Sequence, residues 1–150
     1  MTDSGSVLHA SAVSVGGRGL LITGRAGAGK TTLALEMIAL GAVLIADDLV
    51  HVLPDGADGL RVSAPPNARG LVELRGFGLA RLPCCASAPL ALVADLDRTE
   101  PERLPPPRHL MLSGIACRVI LCKGKPGLAA ALTCLLRAES WPEPDLFAGE

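Results

Sequence analysis

The sequence predicts an α/β domain in which strands outnumber helices and the first helix follows a phosphate-binding loop. Three observations carry this. Residues Gly24-Arg25-Ala26-Gly27-Ala28-Gly29-Lys30-Thr31 spell a complete G-x-x-x-x-G-K-[ST] loop, whose backbone N–H groups are suited to cradle a phosphate chain. An apolar run precedes it and a helix-forming segment follows it. Most of the remaining chain alternates short β-rich runs with Gly and Pro turns, which is not the regular β-α-β succession of a Rossmann sheet.

Taken in order, Val7 to Val15 alternates and is β-rich, and Gly16-Gly17-Arg18-Gly19 is a strong turn signal. With the apolar run Gly19 to Thr23 these form a β-hairpin. Thr31 to Leu40 is a helix, with Leu33, Met37 and Ile38 on one face and Gly41 at its end. Its N-terminus aims dipole and free N–H groups at a bound anion. Ala42 to Ala46 is a short apolar strand that runs into Asp47-Asp48. Leu49 to Leu53 and Leu60 to Ala64 flank Pro54-Asp55-Gly56, a second hairpin. Pro65-Pro66-Asn67 breaks the chain, Leu71 to Arg75 is a strand, and Gly76-Phe77-Gly78 follows. Leu90 to Leu96 and Cys117 to Cys122 are strands, separated by the Pro-rich, charged segment Glu100 to Arg108, expected as a mobile loop. Pro126 to Ala138 is a helix. One domain spanning 1–150 is expected, with a core over about 7–138 and a loose tail over 139–150.

Composition excludes several classes. The formal net charge is −1, so no general attraction to nucleic acid is implied. Aromatic residues make up 2% of the chain, too few for a base-stacking platform. No apolar run reaches membrane-spanning length, and Met1 to Ser6 is polar without a basic or apolar leader segment. A cytoplasmic protein is expected. The five cysteines, at 84, 85, 117, 122 and 134, form no C-x-x-C pair and are expected to be reduced, mostly buried thiols.

Phosphoryl chemistry at such a loop needs carboxylates for Mg²⁺ and for the incoming nucleophile. Asp47 and Asp48 follow the loop by one helix and one strand. If that strand runs parallel to the one entering the loop, its carboxyl end lies at the same sheet edge. Strand alternation lets only one of the two acids point readily into the site. His9 is a further candidate. A two-residue turn at Gly16-Gly17 or Gly17-Arg18 sets it opposite Gly24 or Ala26, at the mouth of the loop. His51 and His109 have no comparable argument. Glu73, in Val72-Glu73-Leu74-Arg75, is either a metal ligand or half of a solvated edge pair.

The ordered set of motifs resembles one family, the HPr kinase/phosphorylases, which phosphorylate a serine of the phosphocarrier protein HPr. Leu8-His9-Ala10 is similar to the family's Leu-His-Gly start of the catalytic domain. Residues 24–31 match its phosphate loop, 41–48 (GAVLIADD) its G-x-x-L-V-A-D-D stretch, and 72–79 (VELRGFGL) its E-[IV]-R-G-[LI]-G-[IL] signature. The resemblance covers roughly residues 7–122 and implies a strand-rich phosphate-loop kinase fold, shared in part with the phosphoenolpyruvate carboxykinases. It implies Asp48 as the base that takes the serine proton, with His9 beside it. It gives Lys30 to the terminal phosphates and Thr31 and Glu73 to Mg²⁺, and makes Arg103 in Glu102-Arg103-Leu104 a catalytic arginine. Asp47 is the further metal candidate, and Gly24 to Thr32 would bind ATP.

The acceptor implied is an HPr-type phosphocarrier or a related phosphotransferase-system protein. The chain is expected to be a short, catalytic-domain-only form. Lys123-Gly124-Lys125-Pro126-Gly127 stands where the family carries R-P-G-R-N, so phosphorolysis is not carried over. Exposed strand edges in so small a domain favour a homo-oligomer. The residues alone leave open a phosphate-loop kinase of small molecules and a nucleotide-binding regulatory module.

Overall fold

A computed structural model describes residues 5–141. It contains strands β1 (Ser6–His9), β2 (Ser11–Val15), β3 (Arg18–Thr23), β4 (Val43–Ala46), β5 (Leu49–Asp55), β6 (Gly59–Ser63), β7 (Leu71–Leu74), β8 (Gly78–Arg81), β9 (Ser87–Asp95), β10 (His109–Leu112) and β11 (Ile115–Leu121), with helices α1 (Lys30–Ala39) and α2 (Leu128–Arg137). The class is the strand-rich α/β fold expected. Residues 142–150 of the expected tail lie outside the described residues.

The main sheet runs β1-β5-β6-β9-β3-β2-β4, and β11, with β10 beyond it, also pairs with β9, over residues 93–95, past the stretch 87–89 that pairs with β6. Strand β2 decides the layout. All five of its residues are buried, and it pairs antiparallel with β3 on one side and β4 on the other. The strand entering the phosphate loop and the strand ending at the acid pair are therefore parallel, one strand apart. Strand β9 is parallel to both β3 and β11. The carboxyl ends of β3, β4, β9 and β11 thus share one edge of the sheet, where ligands of open α/β sheets bind.

Strand alternation sorts the core into two layers. Val13, Val15, Leu20, Ile22, Leu92 and Ala94 pack with Leu33 and Met37 of α1 and Leu132 and Leu136 of α2. The opposite side chains, Ala12, Leu21 and Val93, pack with Val50, Val52, Leu60 and Val62 of the β5–β6 hairpin. Two arginines tie helix ends to the body by satisfying free carbonyls. Arg18 donates to Leu136 O (3.0 Å) and Ala138 O (2.9 Å), and Arg137 donates to Leu40 O at 3.1 Å.

The first hairpin differs from expectation in one respect. Its turn is Gly16-Gly17, both with positive φ, as a two-residue loop matching strand twist requires. The pairing runs from Val15↔Arg18 to Ser11↔Ile22 and stops there. Beyond Thr23 the partner strand turns away into the phosphate loop. The buried Ala10 gives its N–H to Asp48 O instead (3.2 Å), and His9 pairs with Leu49 on β5. The single run expected over 7–15 is therefore two strands serving different neighbours. Two strands escaped the sequence reading: β8, which closes a free-standing hairpin with β7, and β10, which edges the main sheet. The cysteines are free thiols, but only Cys122 is buried; Cys84 and Cys134 are exposed. Cys122 belongs to the helix-side core layer, and the half-buried Cys85 and Cys117 pack against the opposite one.

The Pro-rich segment expected to be mobile is closed by a fork. Arg108 Nε and Nη2 donate to the two oxygens of Glu100, each at 2.7 Å. These bonds hold the Glu100 carboxyl down at about 2 against an ordinary 4.5. A carboxyl with a depressed folded pKa contributes stability that is complete above its unfolded pKa and lost as pH falls through the folded one. The wild-type chain should therefore lose this contribution between about pH 4.5 and about pH 2. Glu100→Gln should flatten that part of the stability curve, as measured by urea titrations across the acid range. Parallel curves for the two proteins would show that the fork does not couple to folding.

Candidate active site

Two cavities open at the shared strand edge. One, of about 560 Å³, is lined by His9, Ser11, Gly24 to Gly27, Gly29 to Thr32, Asp48 and Arg75. The other, of about 520 Å³, includes Thr31, Thr32, Asp47, Asp48, Glu73 and Arg75. Thr31, Thr32, Asp48 and Arg75 face both, so the cavities adjoin along them.

The phosphate loop is built from its glycines. Gly24, Gly27 and Gly29 all have positive φ, and Gly29 caps α1 in the left-handed region, where a Cβ would be strained. Gly24 also has no room for one: a Cβ would stand 2.9 Å from that of Ala28. The first turn of α1 holds no acidic residue, which leaves its N-terminus favourable to anions. Lys30 Nζ folds over the loop and donates to Gly24 O (2.6 Å) and Arg25 O (3.0 Å). This places its charge above the cradle. Asp97, two residues past β9, accepts the Arg25 N–H at 3.0 Å and fixes the loop's entry.

The acid pair departs from the alternation argument because β4 ends at Ala46. Asp47 and Asp48 occupy a turn in which Leu49 N–H donates to Asp47 O at 2.8 Å, and Asp48 has φ 72°. This is the rarer, strained kind of γ-turn, and backbone strain of this sort concentrates at functional sites. It lets both side chains reach the cleft. Asp47 accepts from Thr31 Oγ1 at 2.9 Å and from Ser11 Oγ at 2.6 Å. Asp48 faces the junction of the two cavities.

The other candidates divide. His9 lines the phosphate-loop cavity with Asp48 and Lys30. It arrives there on β1, by pairing with β5, and not by the hairpin register that first suggested it. Glu73 lines the neighbouring cavity with Asp47 and Thr31, carried by the β7–β8 hairpin. Arg103 is exposed on the segment between β9 and β10 and lines neither cavity. Arg75 does line both; in the strand expected over 71–75 it shares a face with Glu73, two residues before it, although β7 itself ends at Leu74. Ser11 bears the same relation to His9. Asp97 carried no local signal; only the parallel pairing of β3 with β9 reveals it.

The donor set fits a hard cation. Mg²⁺ is typically held by one or two carboxylates together with substrate phosphates and water, and the Thr31 hydroxyl, Asp47 and Glu73 offer oxygen ligands beside the cradle. Among the described residues no three His, Cys, Asp or Glu side chains form an all-protein metal cage, and no helix is long and apolar enough to cross a membrane.

Residues 3–83 match the family model "HPr Serine kinase C-terminal domain". The chain is 36% identical over 105 residues to the HPr kinase/phosphorylase of Geobacillus kaustophilus, covering 65% of this chain and 34% of that protein. It is 40% identical over 74 residues to the HPr kinase/phosphorylase of Nitrosomonas europaea, covering 49% of this chain and 23% of that one. The chain thus spans about a third or less of these curated relatives' length. The solved structure of the Hpr(Ser) kinase/phosphatase from Coxiella burnetii superposes with a TM-score of 0.74 at 26% identity, covering 88% of each chain.

Removing the Lys30 ammonium should cost a charge-assisted contact of about 2 kcal/mol, or about thirtyfold in nucleotide Kd. Calorimetric titration of ATP into Lys30→Ala and wild type measures this. Equal affinities would mean that the loop is not the nucleotide site.

Proposed function

The chain belongs to the HPr serine kinase C-terminal domain family, and on that premise we propose that it is an ATP-dependent protein-serine kinase. Its acceptor is a phosphocarrier of the HPr type or a related phosphotransferase-system protein. The observation that carries the reading is the place of Asp48: one carboxylate stands where the phosphate-loop cavity meets the second cavity. A donor phosphate chain in the first and an acceptor hydroxyl entering by the second would meet beside it.

In this reading Asp48 accepts the proton of the acceptor serine as its oxygen attacks the γ-phosphorus. The bond from that phosphorus to the bridging oxygen of ADP breaks in line. Lys30 and the loop N–H groups neutralise charge on the phosphoryl oxygens. Thr31 and Asp47, with Glu73 across the cleft, would hold Mg²⁺, which supplies further charge neutralisation along the phosphates when bound. His9 borders Asp48 and helps to shape its surroundings. Arg75 faces both cavities without rearrangement, whereas Arg103 reaches the reacting groups only if its loop folds over the cleft. A second reading, phosphoryl transfer to a small molecule, draws on the volume of the second cavity, about 520 Å³, which is in the range of small-molecule sites.

Transfer of ³²P from γ-labelled ATP to HPr, run beside a metabolite panel, tests the proposal. The wild-type chain should label HPr on serine and leave the panel unlabelled. Asp48→Asn should keep ATP affinity within a few-fold while the transfer rate falls by about 10²–10⁴. Transfer by that variant at the wild-type rate would remove the base role, and labelling confined to the metabolites would replace the protein acceptor.

A further inference from the structure

Ser11 is the first residue of β2, 1% exposed, and its hydroxyl reaches the cleft. Its Oγ donates to Asp47 Oδ1 at 2.6 Å. Thr31 Oγ1 donates to the same oxygen at 2.9 Å and lies 3.2 Å from Oδ2. Two hydroxyls from different elements therefore converge on one carboxylate. Their backbones are held independently. Ser11 pairs with Ile22 in the buried hairpin, and Thr31 sits in the first turn of α1. Asp47 itself follows β4, in the turn that Leu49 N–H closes onto its carbonyl.

We propose that Ser11 is a positioning residue for the cation-phosphate site, acting through Asp47 on Thr31. This rests on the nucleotide-binding reading above. A threonine hydroxyl has one proton and two lone pairs. While its proton is committed to Asp47, its lone pairs remain available to a hard cation. The commitment holds only if the Asp47 carboxylate keeps its orientation, and the buried Ser11 hydroxyl supplies the fixed donor that sets it. Partners that orient a ligating group from behind typically change metal affinity by about 10–100-fold when removed. Ser11 touches neither nucleotide nor cation in this scheme, so its removal should spare binding of the nucleotide alone.

The test uses binding of a fluorescent ATP analogue to the purified full chain, titrated with Mg²⁺ or held in EDTA. Ser11→Ala should need about tenfold more Mg²⁺ for half-maximal tightening, with its affinity in EDTA unchanged. Ser11→Cys fills nearly the same space with a weak donor, so it should behave like Ser11→Ala if the hydrogen bond matters and like wild type if only the volume does. Added to Asp47→Asn, Ser11→Ala should shift the Mg²⁺ titration no further. Four outcomes would overturn the inference: a Ser11→Ala Mg²⁺ curve that overlays wild type, a Ser11→Cys curve that overlays wild type while Ser11→Ala shifts, a loss of affinity in EDTA equal to the loss in Mg²⁺, or additive shifts in the double variant. Each of these leaves the nucleotide site standing. A wild-type chain whose nucleotide affinity ignores Mg²⁺ would instead remove the underlying reading, and this inference with it.

Discussion

The Asp47 carboxylate, with the hydroxyls of Ser11 and Thr31 hydrogen-bonded to it, is the contact on which the site depends. It joins the buried strand β2, the first turn of α1 and the turn after β4. These three segments are remote in sequence, and the side-chain bonds join them in addition to the backbone bonds from Leu49 N–H to Asp47 O and from Ala10 N–H to Asp48 O that hold the turn. The carboxylate is partly buried, where its hydrogen bonds are charge-assisted and stronger than neutral ones. The same contact holds Thr31 over the phosphate loop. The site is therefore fixed from behind, by elements that belong to the core, while its open side stays free for substrates.

That arrangement requires β2. A buried strand with antiparallel partners on both sides makes its two neighbours parallel to each other without a crossover between adjacent strands. The phosphate loop and the acid pair are thereby delivered to one edge. The two-layer core then sets rigidity: helices cover one face of this half of the sheet, and the β5–β6 hairpin covers the other. Functional groups on the ends of packed strands hold their positions better than groups on free loops. Glu73 and Arg75 are the exception, since they ride on the separate β7–β8 hairpin. A two-stranded unit of that kind is only marginally stable by itself, so these two side chains depend on how the hairpin packs, with Val72 buried at 2% exposure.

Much of this was legible in the chain. The phosphate loop, the strand before it and the helix after it are local patterns, because glycine spacing and side-chain period act over a few residues. The parallel relation of β3 and β4 was legible as a condition, and the buried β2 meets it. Three features were not. The break at Ala10 arises because β3 ends at Thr23 and turns away into the phosphate loop, which is a property of the pairing and not of Ala10. Asp48 reaches the cleft through a positive φ that no strand rule anticipates. Asp97 meets the phosphate loop only through a long-range parallel pairing. The role of Glu73 lay between: its own neighbours read as a solvated edge, and the motif it belongs to pointed elsewhere.

Two cavities adjoin with the Asp48 carboxylate, on a strained backbone turn, between them. On the proposed function, ATP occupies the phosphate-loop cavity with its γ-phosphate beside Asp48. A crystal structure of the chain with Mg²⁺ and a non-hydrolysable ATP analogue tests this directly. The β- and γ-phosphates should lie inside residues 24–31, with Lys30 withdrawn from the loop carbonyls onto them and the Asp48 carboxylate facing the γ-phosphate. A nucleotide seated outside the loop, or an Asp48 turned away from its terminal phosphate, would contradict it.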